Sequence, residues 1–318
     1  MDITLERTAD LLSRHSNIII TAHVHPDGDS LGSMLGLAHY LSTKNKTIQL
    51  LIDDDVPAVY HFLPGSEMIE QPGSQRIKAD LLVILDASDL ERIGRVKDVV
   101  DAPILNIDHH ISNTKFADYL FLDSHAAATG EIILRLLKLM DANISTDIAT
   151  CLYTAIATDC GFFRYANTSA DTMRYCAELI DYGVKPHLVS EELEAKPLAS
   201  VINLSKILQT LELFFDGKIA TITILPEMLE DNESTDGFIN YPRIIEGVEI
   251  AVMFKPTDNG TCRVSLRSKH VDVSKIALHF GGGGHARAAG CTINGSLAKV
   301  KAEVIAAATK QLQGSYYD

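Results

Sequence analysis

The sequence predicts an α/β protein in two parts: an N-terminal parallel-sheet domain with helices on both faces, and a smaller α+β C-terminal domain. Three observations predict it. The chain has 318 residues, enough for roughly two domains of about 150 residues each. Its first half alternates short apolar runs with helical stretches, the pattern of parallel strands joined by crossover helices. Acidic and imidazole groups recur just beyond those apolar runs, where open α/β sheets hold their ligands.

In order, a helix is expected at residues 3–14, a strand at Asn17–Thr21, a helix from Ser30 to Leu41, and strands at Thr47–Ile52, Asp80–Leu85 and Pro103–Ile107. From Ala126 to Thr158 the pattern is helical with a break near Asp141–Asn143, ending in Thr158-Asp159-Cys160-Gly161. Asp171–Tyr182 reads as a further helix, closed by Gly183 and followed by Pro186. Strands are expected at Lys218–Leu225, Val248–Lys255 and Thr261–Ser268, then a helix at Val273–Phe280 running into Gly281–Gly284 and His285, and a terminal helix at Leu297–Leu312. The domain boundaries expected from this pattern are 1–188, a connecting helical segment at 189–211, and 212–318.

Composition narrows the function. A 46% hydrophobic and 22% charged content is that of an ordinary globular chain and argues against disorder. The 28 basic and 42 acidic side chains give a net charge of −14, which repels a long duplex and leaves only a local cationic pocket for phosphates. Five widely spaced cysteines without a C-x-x-C pair read as reduced thiols. Leu81–Leu85 is a short buried run rather than a membrane span, and the N-terminus lacks an apolar leader, so a cytoplasmic protein is expected.

The chemistry gathers after the first, third and fourth strands. His23-Val-His25-Pro26-Asp27-Gly28-Asp29-Ser30 offers imidazole and carboxylates, an N/O set for which manganese is more natural than calcium. Asp29 or Ser30 serves equally well as a cap for the following helix, and His25 reads as solvated rather than ligating. Asp86 ends a very apolar strand, where a carboxylate is costly unless a charge meets it; a strand-end turn or helix cap is its plainer role. In Asp108-His109-His110 the two imidazoles leave the chain on either side, and the preceding carboxylate can orient one of them. Asp159 taken alone is a polar helix terminus.

Together these segments carry a resemblance. H-x-x-P-D-x-D-x-x-G-S at His23–Ser33, then Asp86, Asp108-His109-His110 and Asp159, resemble in order the four motifs of the DHH phosphoesterase superfamily. Leu266-Arg267-Ser268 followed by Gly281–Gly284, His285 and Gly290 resembles the DHH-associated C-terminal substrate-binding domain. The resemblance implies a centre of two divalent ions, manganese above all. One would be held by His23, Asp27 and Asp86, the other by Asp29, Asp86, His109 and Asp159, with Asp86 as the bridge. The four aspartates would balance two divalent charges. It implies metal-assisted phosphoester hydrolysis with Asp108 and His110 as catalytic residues, and substrate contacts from His110, Arg267, Ser268, Gly283, Gly284 and His285. Arg164 either reaches this site or forms a structural salt bridge.

Compact members with this C-terminal domain resemble oligoribonucleases that degrade very short RNA and dephosphorylate 3′-phosphoadenosine 5′-phosphate (pAp). Cyclic di-AMP or its linear product pApA is the alternative substrate. A non-enzymatic alternative, a nucleic-acid-binding module on an inactive scaffold, is disfavoured because all six metal-ligand positions suit the chemistry. No long duplex and no membrane partner is expected, and a homodimer is expected on base rate alone.

Overall fold

The computed structural model describes residues 1–229, 235, 237–257 and 259–314. The chain forms two compact units, Met1–Ala195 and Lys196–Asp318. The first contains α1 (Leu5–Arg14), β1 (Asn17–Thr21), α2 (Gly28–Ser42), β2 (Thr47–Leu51), β3 (Ile69–Glu70), β4 (Ile77–Lys78), β5 (Leu81–Leu85), α3 (Val96–Val99), β6 (Val100–Asp101), β7 (Ile104–Asp108) and β8 (Tyr119–Leu122). Four helices follow: α4 (Thr129–Leu139), α5 (Thr146–Asp159), α6 (Ala170–Asp181) and α7 (Pro186–Glu194). The main sheet is parallel, in the order β3-β2-β1-β5-β7-β8. Its strand order reverses between β1 and β5, because the chain builds outward to β2 and β3 and then returns to the other side of β1. Such a switch point opens a crevice at the strand carboxyl ends.

The near-continuous apolar runs of β1 and β5 follow from burial on both faces. Ile18 and Ile20 enter the larger core with Leu31, Leu35 and Ile156, while Ile19 enters a smaller one with Leu82, Ile84 and Val96. The edge strand β8, only four residues long, lies outside the sequence expectation because its run Tyr-Leu-Phe-Leu is too short to separate from a loop.

Close contact between α2 and α5 sets the geometry of the crevice. Gly28, Gly32 and Gly36 recur every four residues on one face of α2. A Cβ at Gly28 would lie 2.3 Å from Thr158 Oγ1, at Gly32 2.3 Å from the Cys151 carbonyl oxygen, and at Gly36 2.8 Å from Leu152 Cδ2. The two helices therefore run antiparallel with their backbones nearly touching, and the start of α2 meets the end of α5.

In the second unit α8 (Leu198–Leu208), β9 (Glu212–Phe214), β10 (Ile219–Thr223), α9 (Asn240–Arg243), β11 (Ile250–Pro256), β12 (Thr261–Ser268), α10 (Ser274–His279), β13 (Gly283–His285), β14 (Ala288–Asn294) and α11 (Leu297–Gly314) build a separate mixed sheet. Its order is β13-β14-β12-β11-β10-β9. The residues around 189–211 form two helices, α7 in the first unit and α8 in the second, with Pro197 at the N-cap of α8. No described helix is long and apolar enough to cross a membrane. All five cysteines are free and buried.

Candidate metal centre

Three loops and one helix end bring the predicted acids and imidazoles together. His23 Nε2 lies 3.6 Å from Asp27 Oδ2 and 3.5 Å from Asp86 Oδ2. His109 Nε2 lies 3.5 Å from Asp86 Oδ1, 3.7 Å from Asp159 Oδ2 and 3.8 Å from Asp29 Oδ2. The two oxygens of Asp86 thus face two different histidines, one on each side. His23, Asp27 and Asp86 can hold one ion, and Asp29, His109 and Asp159 another.

Each imidazole is aimed from behind. His23 Nδ1 is 2.8 Å from the Val24 carbonyl oxygen and His109 Nδ1 is 3.2 Å from that of Ala126. A proton on Nδ1, donated to the carbonyl, leaves Nε2 as the metal-binding lone pair. Asp86 takes a left-handed backbone, φ 56°, an uncommon conformation for a non-glycine residue that turns its carboxylate into the crevice. The Thr129 hydroxyl donates to Asp86 Oδ1 at 3.0 Å.

Asp29 is almost completely buried. It accepts from the Thr129 amide at 2.7 Å, the Gly130 amide at 2.9 Å and the Ser33 hydroxyl at 3.1 Å, so the N-terminus of α4 is the counterweight to its charge. No sequence signal marks this: Thr129 and Gly130 look like ordinary helix-start residues until the fold sets them against Asp29. Asn167, also missed, donates to the carbonyls of Ala127 and Asp159 at 3.0 and 3.3 Å. It ties the loop after Asp159 to the segment that orients His109.

Burial pushes the Asp29 carboxyl well above the usual range, and the charges of Asp86, Asp159 and Asp27 add to that effect. Burial likewise raises Asp159 to about 6, with Asp86 and Asp27 adding and His109 opposing. Burial alone would depress the His23 imidazole, but its contacts with Asp27 and Asp86 outweigh burial and raise it to about 10. A crevice that crowds carboxylates and retains protons without another cation suits divalent ions, which would displace those protons.

Asp108 behaves differently from Asp86. Its Oδ1 accepts from the amides of His109 and His110 and lies 2.7 Å from His110 Nδ1, while Oδ2 accepts from Asn113 Nδ2 at 2.6 Å. Burial would raise Asp108, but the bonds from His110 and Asn113 hold it below the usual range. The Asp108 carboxylate is thus committed to these partners and fixes the orientation of the His110 ring. The Asp108 bond in turn raises the His110 imidazole and leaves Nε2 as the free end of the ring. His25 is solvent-exposed and pairs with Asp54 at 3.2 Å. Arg164 is exposed, with Nε donating to the Gly161 carbonyl at 2.7 Å.

Comparisons with known proteins agree with this geometry. Residues 17–156 match the DHH family, N-terminal domain, and residues 217–314 match the DHHA1 domain. A bifunctional oligoribonuclease and PAP phosphatase NrnA of Thermus thermophilus is 36% identical over 279 residues, covering 87% of this chain and 84% of that protein. The chain belongs to the DHH family. It is thereby a hydrolase of phosphoester bonds. The Bacillus subtilis protein of the same name is 27% identical over 289 residues, 89% of this chain and 91% of that one. The crystal structure of an exopolyphosphatase-related protein from Bacteroides fragilis shares the fold, with a TM-score of 0.89 at 24% identity over 99% of this chain and 97% of that one.

In the DHHA1 domain Arg267 is half-buried on β12 and His285 is exposed on β13. Their strands are linked through Ala288, the register partner of both. Ser268 is buried instead, its hydroxyl donating to the Val271 carbonyl with that of Ala286 3.4 Å away. These contacts tie the two loops to the end of β12. The last two glycines of the run begin the edge strand β13, and Gly281 and Gly282 lie just before it. A Cβ at Gly284 would lie 2.5 Å from Ala289 Cα and one at Gly282 2.2 Å from the Gly290 carbonyl oxygen, whereas one at Gly283 would meet nothing within 4 Å. Glycine is thus required at Gly282 and Gly284 by the approach of β14, whereas Gly283, like Gly281, has open space where a Cβ would sit.

Proposed function

We propose that this DHH protein hydrolyses short oligoribonucleotides to mononucleotides and removes the 3′-phosphate of pAp, using two divalent ions, with manganese best matched to the site. The observation that carries the proposal is the placement of Asp86, whose two oxygens face two separate imidazole–carboxylate groups. His23, Asp27 and Asp86 would hold one ion; Asp29, Asp86, His109 and Asp159 would hold the other. Divalent ions held by these residues would supply activation of a water for attack at phosphorus and stabilisation of the charge on the leaving oxygen.

The chain's own groups supply the rest. His110, fixed through Nδ1 by Asp108, turns Nε2 to a non-bridging oxygen of the scissile phosphate and donates a proton-bearing hydrogen bond there. Arg267 can take a phosphate bidentately, and the open backbone of Gly283 with His285 offers further donors. The substrate class draws support from the names of the Thermus and Bacillus relatives.

The test compares kcat/KM for pAp, pApA, cyclic di-AMP and 5′-phosphorylated RNA of graded length with manganese. Short RNA and pAp should lead; preference for the cyclic dinucleotide would overturn the substrate assignment. His109→Ala should abolish turnover, while Arg267→Ala should mainly raise KM.

A further inference from the structure

Among the described residues, one face of the DHHA1 sheet is only partly covered. Along β12 the residues Cys262, Val264 and Leu266 are buried in the core formed with α10 and α11. The alternating residues Arg263, Ser265 and Arg267 project to the opposite face. There Ile207, Phe238 and Ile239 cover Ala251 and Met253 of β11, and the surface beyond is built from three cross-strand rows. Arg267, Ala288 and His285 form the first row; Ser265, Gly290 and Gly283 the second. The third joins Lys255, Arg263 and Thr292. Arg263 and Thr292 are exposed and Lys255 is half-buried.

We propose that the Lys255–Arg263 row is a second phosphate site, and that this sheet face carries the sugar–phosphate chain of oligonucleotides too long to end at Arg267 and His285. The inference rests on the oligonucleotide activity proposed above. Lys255 and Arg263 are direct partners in an antiparallel pair, an arrangement that repels and is relieved by an anion between the two cations. Four residues of strand separate Arg263 from Arg267, about 13 Å at the usual rise, so one phosphate cannot touch both rows and a chain of several phosphates can.

The floor between the rows is low. Ser265 is small, Gly290 has no side chain, and a Cβ at Gly283 would meet nothing within 4 Å. None of the nine residues in these rows is Phe, Tyr or Trp, and the one aromatic ring, the His285 imidazole, lies in the first row, so the Lys255–Arg263 row gives bases no aromatic stacking platform. Recognition is then through phosphates, salt-sensitive and tolerant of base identity.

The test uses 3′-labelled, 5′-phosphorylated oligoribonucleotides of two and five residues, with metal chelated so that nothing is cut. Binding is followed by fluorescence anisotropy for the full chain and for a Lys255→Gln, Arg263→Gln variant. The wild type should bind the five-residue chain more tightly, and the variant should lose most of that advantage. The salt slope for the longer chain should fall by about 1.4, the value for two phosphate contacts on a single strand. Equal loss at both lengths, or no loss at either, overturns the proposal. A wild type that shows the length-dependent binding but cleaves no RNA would overturn the catalytic reading and leave this site standing.

Discussion

Asp86 and Asp108 end neighbouring strands and are both buried, yet only Asp86 turns its carboxylate between His23 and His109. Asp86→Asn should therefore lose both bound metal and turnover. Asp108→Asn should keep its metal content, measured by elemental analysis, while kcat falls about 10- to 100-fold, the usual cost of losing an orienting partner. A variant that lost metal with Asp108 would place that carboxylate among the ligands. The raised carboxyls add a pH dependence. A carboxyl with a raised folded-state pKa disfavours the ionised form, so its contribution to stability is fullest below the unfolded pKa and is lost as pH rises through about 6 for Asp159. Ions need the deprotonated form, so apparent metal affinity should weaken as pH falls through that range. Proton release on uptake should be larger at about pH 5.5 than at about pH 8, which calorimetry in two buffers of different protonation heat would show. The acids themselves were legible in the sequence because they sit in ordered motifs. Thr129, Gly130 and Asn167 were not, since their partners lie far away along the chain.

At the scale of elements, the alternation of strand and helix in the first half was readable because buried parallel strands are nearly uniform apolar runs. Gly32 and Gly36 read only as part of the helix expected from Ser30, and Gly28 as part of the loop before it; the reason for all three is the close packing of α5 against α2. Gly32→Val should cost about 1–3 kcal/mol through overpacking, lowering the midpoint of thermal unfolding and separating Asp29 from Asp159. The glycine run before His285 is the opposite case. Its sequence suggested a phosphate-binding loop, but the close approach of β14 fixes Gly282 and Gly284. Gly282→Ala should therefore destabilise the protein, and Gly283→Ala should leave its midpoint nearly unchanged while weakening substrate binding. Equal thermal effects at the two positions would contradict the close approach of β14 at Gly282.

At the scale of the whole molecule, two separate cores, one around β1 and α2 and one around β11 and β12, give two units that can respond independently. All the candidate metal ligands lie in Met1–Ala195. Manganese should raise the calorimetric midpoint of that unit through preferential binding to its folded form and leave the transition of the second unit where it was. A shift of both transitions together would show that the units unfold as one. The net charge of −14 also takes on a local meaning: Asp27, Asp29, Asp86 and Asp159 place part of it in one crevice.

The two amides at the start of α4, Thr129 and Gly130, donate straight into the Asp29 carboxylate. They are therefore built-in reporters of what that carboxylate faces. When a cation draws charge from Asp29, the electron density around both N–H protons must change, and their nuclear resonances should move together with metal occupancy. Metal entry could thus be followed in the resting protein with a diamagnetic divalent ion such as magnesium, without substrate and without turnover.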